Sequence, residues 1–235
     1  MSESKPRINP YPLSSYNTWA WERNRDPILE VFKTLFPKAG NALELASGSG
    51  AHVNYFAPNF PDIAFQPSDC DVTVFETIKS NRSRAGNTNV ADPVRIDLTA
   101  PDTWPREQER LYDVIFAINV FHLAPVTAAD GFAEIAARVL KPGGFAAIYG
   151  PFKVDGRFTT LSNEAFDSSL RDAGVPGWGL KDVRDLERAA SDRGIILKQQ
   201  QDLPANNFML VFQKPETAAN LVQPEASSHP NSCER

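Results

Sequence analysis

The segment Glu44-Leu-Ala-Ser-Gly-Ser-Gly50 decides the fold of this chain. It ends a short strand pattern at 41–46 and precedes a helical pattern that continues to about residue 57. Glycines in such a turn let the backbone bend sharply and bring its N–H groups close to a ligand, because no Cβ intervenes. The segment therefore predicts a strand, a ligand-facing turn and a helix, the first unit of an α/β fold.

Strand and helix patterns alternate on both sides of this turn. Upstream, Asp26-Pro27 predicts the start of a helix, with aspartate as the N-cap and proline at the first helical position. Downstream, strands are predicted at 63–67, 94–96, 112–118 and 145–149, and a long connection, 151–181, precedes a helix capped by Asp182. Two final strands, 195–197 and 208–212, have no helix between them and form a hairpin. We predict a Rossmann-like α/β fold, with helices on both faces of a seven-stranded, mostly parallel sheet that ends in an antiparallel hairpin.

Acidic residues follow the second and third predicted strands. Ligands of open parallel sheets bind beyond the carboxyl ends of the strands. Asp69 follows Gly50 by 19 residues, where a carboxylate can accept hydrogen bonds from both ribose hydroxyls. Asp97 ends the third strand, within reach of an adenine amino group. The turn and the two acids together predict a nucleoside site.

The charges around the turn indicate which nucleoside binds. A dinucleotide turn has a third glycine or alanine where this chain has Val53, and the charge of Glu44 would oppose a pyrophosphate. S-adenosylmethionine carries a sulfonium and an ammonium group and no phosphate, so it suits a pocket of carboxylates. We predict S-adenosylmethionine as the cofactor. A nicotinamide-dependent oxidoreductase is the alternative that the Rossmann-like order leaves open.

The motif Glu44-x-Ala46-x-Gly48-x-Gly50 resembles the acidic glycine turn of class I S-adenosylmethionine-dependent methyltransferases, and the closing hairpin resembles theirs too. Ala46 replaces the first glycine of that motif, so we expect it to keep an extended backbone. A closer similarity, to the methyltransferase-like protein 26 family, covers about residues 19–213. Segments 22–28, 43–52, 66–69, 119–122, 149–151, 178–182 and 203–207 carry this similarity.

The resemblance assigns roles to individual positions. It implies that the cofactor-binding residues are Glu44, Ala46, Gly48 and Gly50 around the methionine part, Asp69 at the ribose, Asp97 and Leu98 at the adenine, and Asn119 near the sulfonium.

Further side chains are candidates for the acceptor side of the site. His122 follows the fourth strand, where it would act as a general base or, alternatively, anchor its loop to the backbone. Tyr149, Asn206 and Asn207 would line the acceptor pocket or satisfy buried backbone groups. A protonated His52 could contact the cofactor carboxylate or, alternatively, His52 lies on the helix surface. Arg23 and Asn24 could pair with the same carboxylate or belong to a solvated helix N-terminus.

Composition limits the other partners. The 235 residues carry a net charge of -5, and their basic residues are scattered, so we expect no nucleic-acid partner. No apolar run reaches the ~20 residues that span a bilayer, so we expect no membrane partner and a cytoplasmic location. Two cysteines predict neither disulfides nor a metal cluster, and we expect no metal. Tails at 1–15 and 215–235 are predicted to be disordered, flanking one domain at 16–214.

These observations predict an S-adenosylmethionine-dependent methyltransferase that acts on a small molecule, including secondary or specialised metabolites. Transfer would depend on proximity and alignment, with His122 as the candidate base. A non-catalytic S-adenosylmethionine-binding or scaffold protein with the same fold is the alternative. The acceptor and the oligomeric state are left open.

Overall fold

A computed structural model describes residues 15–106 and 111–216 of the chain. Its strands are β1 (Gly40–Leu45), β2 (Ile63–Asp69), β3 (Val94–Arg95), β4 (Tyr112–Ile118), β5 (Leu140–Gly150), β6 (Ile196–Leu203) and β7 (Asn207–Gln213). Its α-helices are α1 (Ser15–Leu35), α2 (Ala51–Phe56), α3 (Phe75–Ala85), α4 (Thr127–Val139), α5 (Leu161–Asp172) and α6 (Val183–Ser191). Most of both predicted tails, residues 1–14 and 217–235, lies outside the described residues.

The seven strands form one sheet in the order β3-β2-β1-β4-β5-β7-β6. The first five strands in this order, β3 to β5, are parallel to one another, whereas β7 pairs antiparallel with both β5 and β6. The mostly parallel sheet with its closing hairpin is therefore confirmed. The strand order reverses between β1 and β4, so a crevice opens at the carboxyl ends of these two strands.

Both faces of the sheet are buried, as the continuous apolar run of β4 predicts. Phe116 faces α1 and α2, and its ring centroid lies 5.0 Å from that of Phe32. The next side chain on the other face, Ile115, belongs to a second core cluster with Phe132 of α4 and Leu186 of α6. Helices on both faces thus hold the carboxyl edge of the sheet rigidly in place.

The first helix differs from the prediction, because α1 spans Ser15–Leu35 and Pro27 lies inside it. An internal proline costs a helix about 3 kcal/mol, and contacts with α2 offset that cost. The Trp21 ring packs edge-on against Tyr55 at 6.0 Å, and Asn24 bonds to His52 at 2.9 Å. Asp26 accepts a hydrogen bond from Tyr55 instead of capping a helix. The longer helix places Ala20, Arg23 and Asn24 over the carboxyl edge of the sheet.

The connection at 151–181 contains a helix that the sequence analysis did not predict. In α5, the Thr160 hydroxyl caps the first turn by accepting a bond from the Asn163 N–H at 3.2 Å. Its buried residues are Asn163, Asp167 and Leu170, only one of them apolar. A helix with so little apolar surface gives a weak periodic signal in the sequence.

Candidate ligand-binding site

The glycine turn follows β1 and leads into α2, where Gly50 is the N-cap with φ of 72°. Gly48 has φ of 56°, and a Cβ added there would meet no atom within 4 Å, so open space lies above it. Ala46 also has a positive φ, 56°, so the expectation that it keeps an extended backbone was wrong. The alanine occupies the conformation that a glycine would favour. The turn therefore has the shape of the complete glycine motif at the cost of local strain.

We expect Ala46→Gly to stabilise the protein by about 0.5–1 kcal/mol, because relief of left-handed strain exceeds the added freedom of the unfolded chain. Denaturation in urea, with an unchanged slope, measures this difference. Gly48→Ala in the same turn is the matched control and should destabilise the protein by about 1 kcal/mol. Equal midpoints for wild type and Ala46→Gly would contradict the strain at this position.

Asp69 holds the turn from the end of β2. Its Oδ2 accepts the Gly48 N–H at 2.8 Å, and its Oδ1 accepts the Asp71 N–H at 3.0 Å. The side chain is buried, yet each carboxylate oxygen has a second lone pair for another donor. Ser47 ties the same two strands together, because its N–H donates to the Ser68 carbonyl at 2.8 Å. Asp69 is thus positioned by the backbone and retains the capacity to accept two hydroxyl groups.

Glu44 lies in β1 beneath the turn and is only 2% exposed. Its Oε2 has no hydrogen-bond partner among the described residues. Burial raises the pKa of Glu44 to about 8, a bond with Ser47 opposes the shift, and the nearby charge of Asp69 adds to it. A buried carboxyl group with an open lone pair is suited to a cationic group that brings its own charge.

Asp97 and Leu98 follow β3 and are placed further along the same edge. The Oδ1 of Asp97 accepts the Thr99 N–H at 2.8 Å, which orders the loop after the strand. Asp97 and Asp69 both act on Cys70, whose thiol pKa is raised to about 11 by burial and then by these two charges. Leu98 is buried, and its carbonyl fills the space where a Cβ of Gly131 would collide. The structure therefore brings Glu44 and Asp69 together and sets Asp97 beside Asp69.

A cavity of about 410 Å³ lies at the carboxyl ends of β4 and β5, the two strands that follow β1 in the sheet. It is lined by five residues predicted for the acceptor side or the sulfonium, namely Asn119, His122, Tyr149, Asn206 and Asn207. Arg23 and Asn24 of α1 also line it. The remaining lining residues are Ala20, Leu123, Pro151, Ser162, Asn163, Phe166, Pro204 and Ala205. The other predicted cofactor residues, 44–50, 69, 97 and 98, lie outside this cavity.

Asn119 is the predicted cofactor residue that lines the cavity. It follows β4 at the reversal of strand order, with φ of 59°, and its N–H donates to the Tyr149 carbonyl at 2.8 Å. Asparagine tolerates the left-handed conformation better than most residues do. This backbone turn places Asn119 in the cavity wall, at the end of the strand that pairs with β1.

His122 forms part of the cavity wall and is 8% exposed. Its ring packs edge-on against Phe166 of α5, with centroids 5.4 Å apart, and its carbonyl accepts the Gly179 N–H at 3.0 Å. Burial, and then the charge of Lys181, lower the pKa of His122 to about 4. The imidazole is therefore neutral at physiological pH, and it both anchors its loop and faces the cavity.

His52 contacts α1. Its Nε2 lies 2.9 Å from Asn24 Oδ1, and burial lowers the pKa of His52 to about 3. A protonated His52 that binds the cofactor carboxylate, one alternative from the sequence, does not agree with this environment. The neutral imidazole instead fixes Asn24, which lines the cavity.

We expect both imidazoles to stay neutral above about pH 5, because their pKa values lie near 4 and 3. Nitrogen chemical shifts of the ring, followed by NMR from pH 8 to about pH 5, measure this state. A midpoint near pH 6.5 for His122 or His52 would contradict their desolvated environments.

Sequence reasoning missed the cavity residues of α5, which are Ser162, Asn163 and Phe166. The available signals were Thr160 as a capping residue and the apolar pair Phe166 and Leu170 at helical spacing. Asn163 is also held in place, because its Nδ2 donates to Thr159 Oγ1 at 2.9 Å. The helix therefore contributes three residues to the cavity wall.

The residues present fit the predicted cofactor. Glu44 offers an unpartnered buried oxygen, the turn leaves open space above Gly48, and Asp69 retains acceptor capacity beside the turn. Within residues 15–106 and 111–216, no three His, Cys, Asp or Glu side chains converge as metal ligands. In the same residues, no helix is both long and apolar enough to cross a membrane.

Fold and site define this chain as a Rossmann-like α/β protein of the class I methyltransferase architecture. Residues 16–214 match the model of a family described as protein of unknown function DUF938, and the chain belongs to that family.

Solved structures with the same architecture are O-methyltransferases and related enzymes. An O-methyltransferase family protein from Burkholderia thailandensis matches at a TM-score of 0.71 and 17% identity, over 86% of this chain and 59% of its own. Human N-acetylserotonin methyltransferase in complex with SAM matches at a TM-score of 0.65 and 18% identity, over 83% of this chain and 53% of its own. An O-methyltransferase family 2 protein from Planctomyces limnophilus, in complex with apigenin, matches at a TM-score of 0.67 and 15% identity, over 85% of this chain and 61% of its own. This chain thus spans about six tenths or less of their lengths, and the likeness shows the fold.

Proposed function

We propose that this protein is an S-adenosylmethionine-dependent methyltransferase that acts on a small molecule and belongs with the methyltransferase-like protein 26 family. One observation carries the proposal: an acidic glycine turn suited to a cationic nucleoside and a cavity of about 410 Å³ lie at the carboxyl ends of neighbouring strands. Asn119 lines the cavity and follows β4, the strand that pairs with β1. The chemistry of the residues on each side supports two ligands in contact rather than one.

The acidic half would hold the cofactor, which supplies an activated methyl group when bound. Glu44 would accept the ammonium group through its unpartnered oxygen, and Asp69 would accept the two ribose hydroxyls. Asp97 and the backbone of Leu98 would contact the adenine edge. Gly48 lets the backbone approach closely, because nothing lies within 4 Å of the position a Cβ would take.

The cavity would hold the methyl acceptor. A volume of about 410 Å³ is typical of small-molecule pockets and lies toward the lower end of their range. Burial raises the pKa of Tyr149 to about 12, so its phenol stays neutral and can donate a hydrogen bond. The neutral His122 would accept a hydrogen bond from a hydroxyl group of the methyl acceptor. That bond would direct a lone pair of the hydroxyl oxygen toward Asn119. Asn206 and Asn207 would complete the wall.

The protein's contribution to the rate would be alignment. Holding two reactants at near-attack distance lowers the barrier by up to about 7–11 kcal/mol without a strong base. This agrees with the environment of His122, whose lowered pKa makes it a weak base. His122 would then orient the acceptor, and its neutral imidazole would take the acidic proton that the hydroxyl oxygen releases as it gains the methyl group.

The low basicity of His122 also favours a second candidate function, that of a non-catalytic protein that binds S-adenosylmethionine. Such a protein would retain the acidic turn and would need no group to remove a proton. Transfer of a labelled methyl group from S-adenosylmethionine to any small metabolite separates the two functions, because only the enzyme would transfer it.

Calorimetry with S-adenosylhomocysteine tests the cofactor site directly. We expect a dissociation constant on the order of micromolar, equivalent to about -8 kcal/mol, and no binding of NAD at the same concentrations. A screen of small metabolites with labelled S-adenosylmethionine then tests transfer. Binding of NAD without S-adenosylhomocysteine would refute the proposal and favour an oxidoreductase.

A further inference from the structure

The acceptor cavity differs in charge from the turn beside it. Among the described residues that line it, Arg23 has the only side chain with a formal charge at neutral pH, because His122 is neutral there. No aspartate or glutamate is among its lining residues, although the chain as a whole has a net charge of -5. The lining residues of the cavity thus contain no acidic side chain, although the protein as a whole is acidic.

Two titratable groups of the cavity wall lie close enough to cations for the charge to act on them. The charge of Arg23 lowers the pKa of Tyr149, against the larger effect of burial. The charge of Lys181 lowers the pKa of His122 further than burial alone does. Lys181 is anchored beside the wall, since its Nζ donates to the carbonyls of Gly177 and Gly179 at 2.7 and 2.9 Å. Cations thus act on the cavity from both α1 and the loop before α6.

The edge of the sheet is consequently divided by charge. Glu44, Asp69 and Asp97 lie at the ends of β1 to β3, on the side proposed for a cationic cofactor. Arg23 acts on Tyr149, at the end of β5, two strands away from β1. Its neighbour Asn24 instead bonds to His52, in the helix that follows the glycine turn. Arg23 therefore lines the cavity and acts on the acceptor half, whereas Asn24 also contacts the helix after the turn.

We propose that the acceptor is a small molecule bearing a carboxylate, and that the Arg23 guanidinium is its cationic contact. The inference rests on the proposed function, because it names the class of acceptor for the same site. A guanidinium matches a carboxylate with two parallel hydrogen bonds, and amide donors such as that of Asn206 would take a remaining oxygen. Phe166 and Tyr149 provide flat walls for an aromatic or planar body.

Calorimetry with matched ligand pairs tests the inference in the presence of S-adenosylhomocysteine. The probes are benzoate, 4-hydroxybenzoate and indole-3-acetate, each compared with its own carboxamide. We expect wild type to bind at least one carboxylate roughly tenfold or more tightly than its carboxamide. Arg23→Gln should abolish that preference and change the affinity for S-adenosylhomocysteine by less than about twofold. Lys33→Gln removes the same charge from an exposed position of the same helix and should leave both affinities unchanged.

The remaining outcomes separate this inference from the proposed function. If no carboxylate binds more tightly than its carboxamide, the inference is wrong. If Arg23→Gln weakens S-adenosylhomocysteine by roughly tenfold and leaves the carboxylate preference intact, Arg23 serves the cofactor and the inference is again wrong. If wild type prefers carboxylates but fails to bind S-adenosylhomocysteine even without them, the anion site is supported and the proposed function is overturned.

Discussion

Glu44→Gln is expected to raise the free energy of unfolding at pH 8 by roughly 4 kcal/mol relative to wild type, with little difference at pH 4. The folded carboxyl group keeps its proton up to a pKa of about 8, whereas the unfolded one loses it near 4.5. The unfolded state therefore binds fewer protons between these values, and wild type loses stability as the pH rises through this window. Glutamine reproduces the neutral carboxyl group and does not titrate.

Urea denaturation at intervals between about pH 4 and pH 9 measures this difference. The exposed acid Glu187 of α6 provides the control, since Glu187→Gln should follow the wild-type curve. Parallel curves for Glu44→Gln and wild type would show that Glu44 loses its proton at the same pH in the folded and unfolded states, in conflict with its buried position.

The same carboxyl group links cofactor binding to protons. At pH 7 the free protein holds a proton on Glu44, and contact with an ammonium group favours the carboxylate. We expect S-adenosylhomocysteine to release about one proton on binding, as measured by calorimetry in two buffers of different ionisation enthalpy. Glu44→Gln should bind more weakly and release none. Wild-type binding without proton release would indicate that the ammonium lies elsewhere.

Asp69→Ala is expected to weaken the binding of S-adenosylhomocysteine roughly 10- to 100-fold. The substitution removes the proposed partner of both ribose hydroxyls and also leaves the Gly48 N–H, now bonded at 2.8 Å, without its acceptor. The turn would lose both a ligand contact and its anchor, so the effect should exceed that of a contact alone.

Asp62→Ala is the matched control for this measurement, because Asp62 is exposed at the opposite end of the same strand. Its affinity should equal that of wild type. Asp69→Asn distinguishes the two losses: it keeps one oxygen for the Gly48 N–H but loses the acceptor of the Asp71 N–H, so its thermal stability should lie between those of Asp69→Ala and wild type while affinity is still lost. Unchanged affinity in Asp69→Ala would remove Asp69 from the nucleoside site.

Much of the architecture was accessible from local patterns. The continuous apolar run of β4 indicated a strand covered on both faces, and its alternate residues do enter two separate cores. Asp182 indicated the start of α6, and its side chain accepts the Arg184 N–H at 3.0 Å. The strand ends also indicated the site edge, because parallel strands place their carboxyl ends together.

The sequence by itself thus determined the α/β order, the hairpin and the acidic turn, since each depends on residues close in the chain. Only the tertiary structure decided that α1 continues through Pro27, because contacts with α2 outweigh the local cost of the proline. It also decided the left-handed backbone of Ala46 and the burial that raises the pKa of Glu44. The cavity is likewise tertiary, because its walls come from α1, α5 and three strand ends that are distant in sequence. Burial and charge at such a place are sums over distant neighbours, which no local pattern encodes.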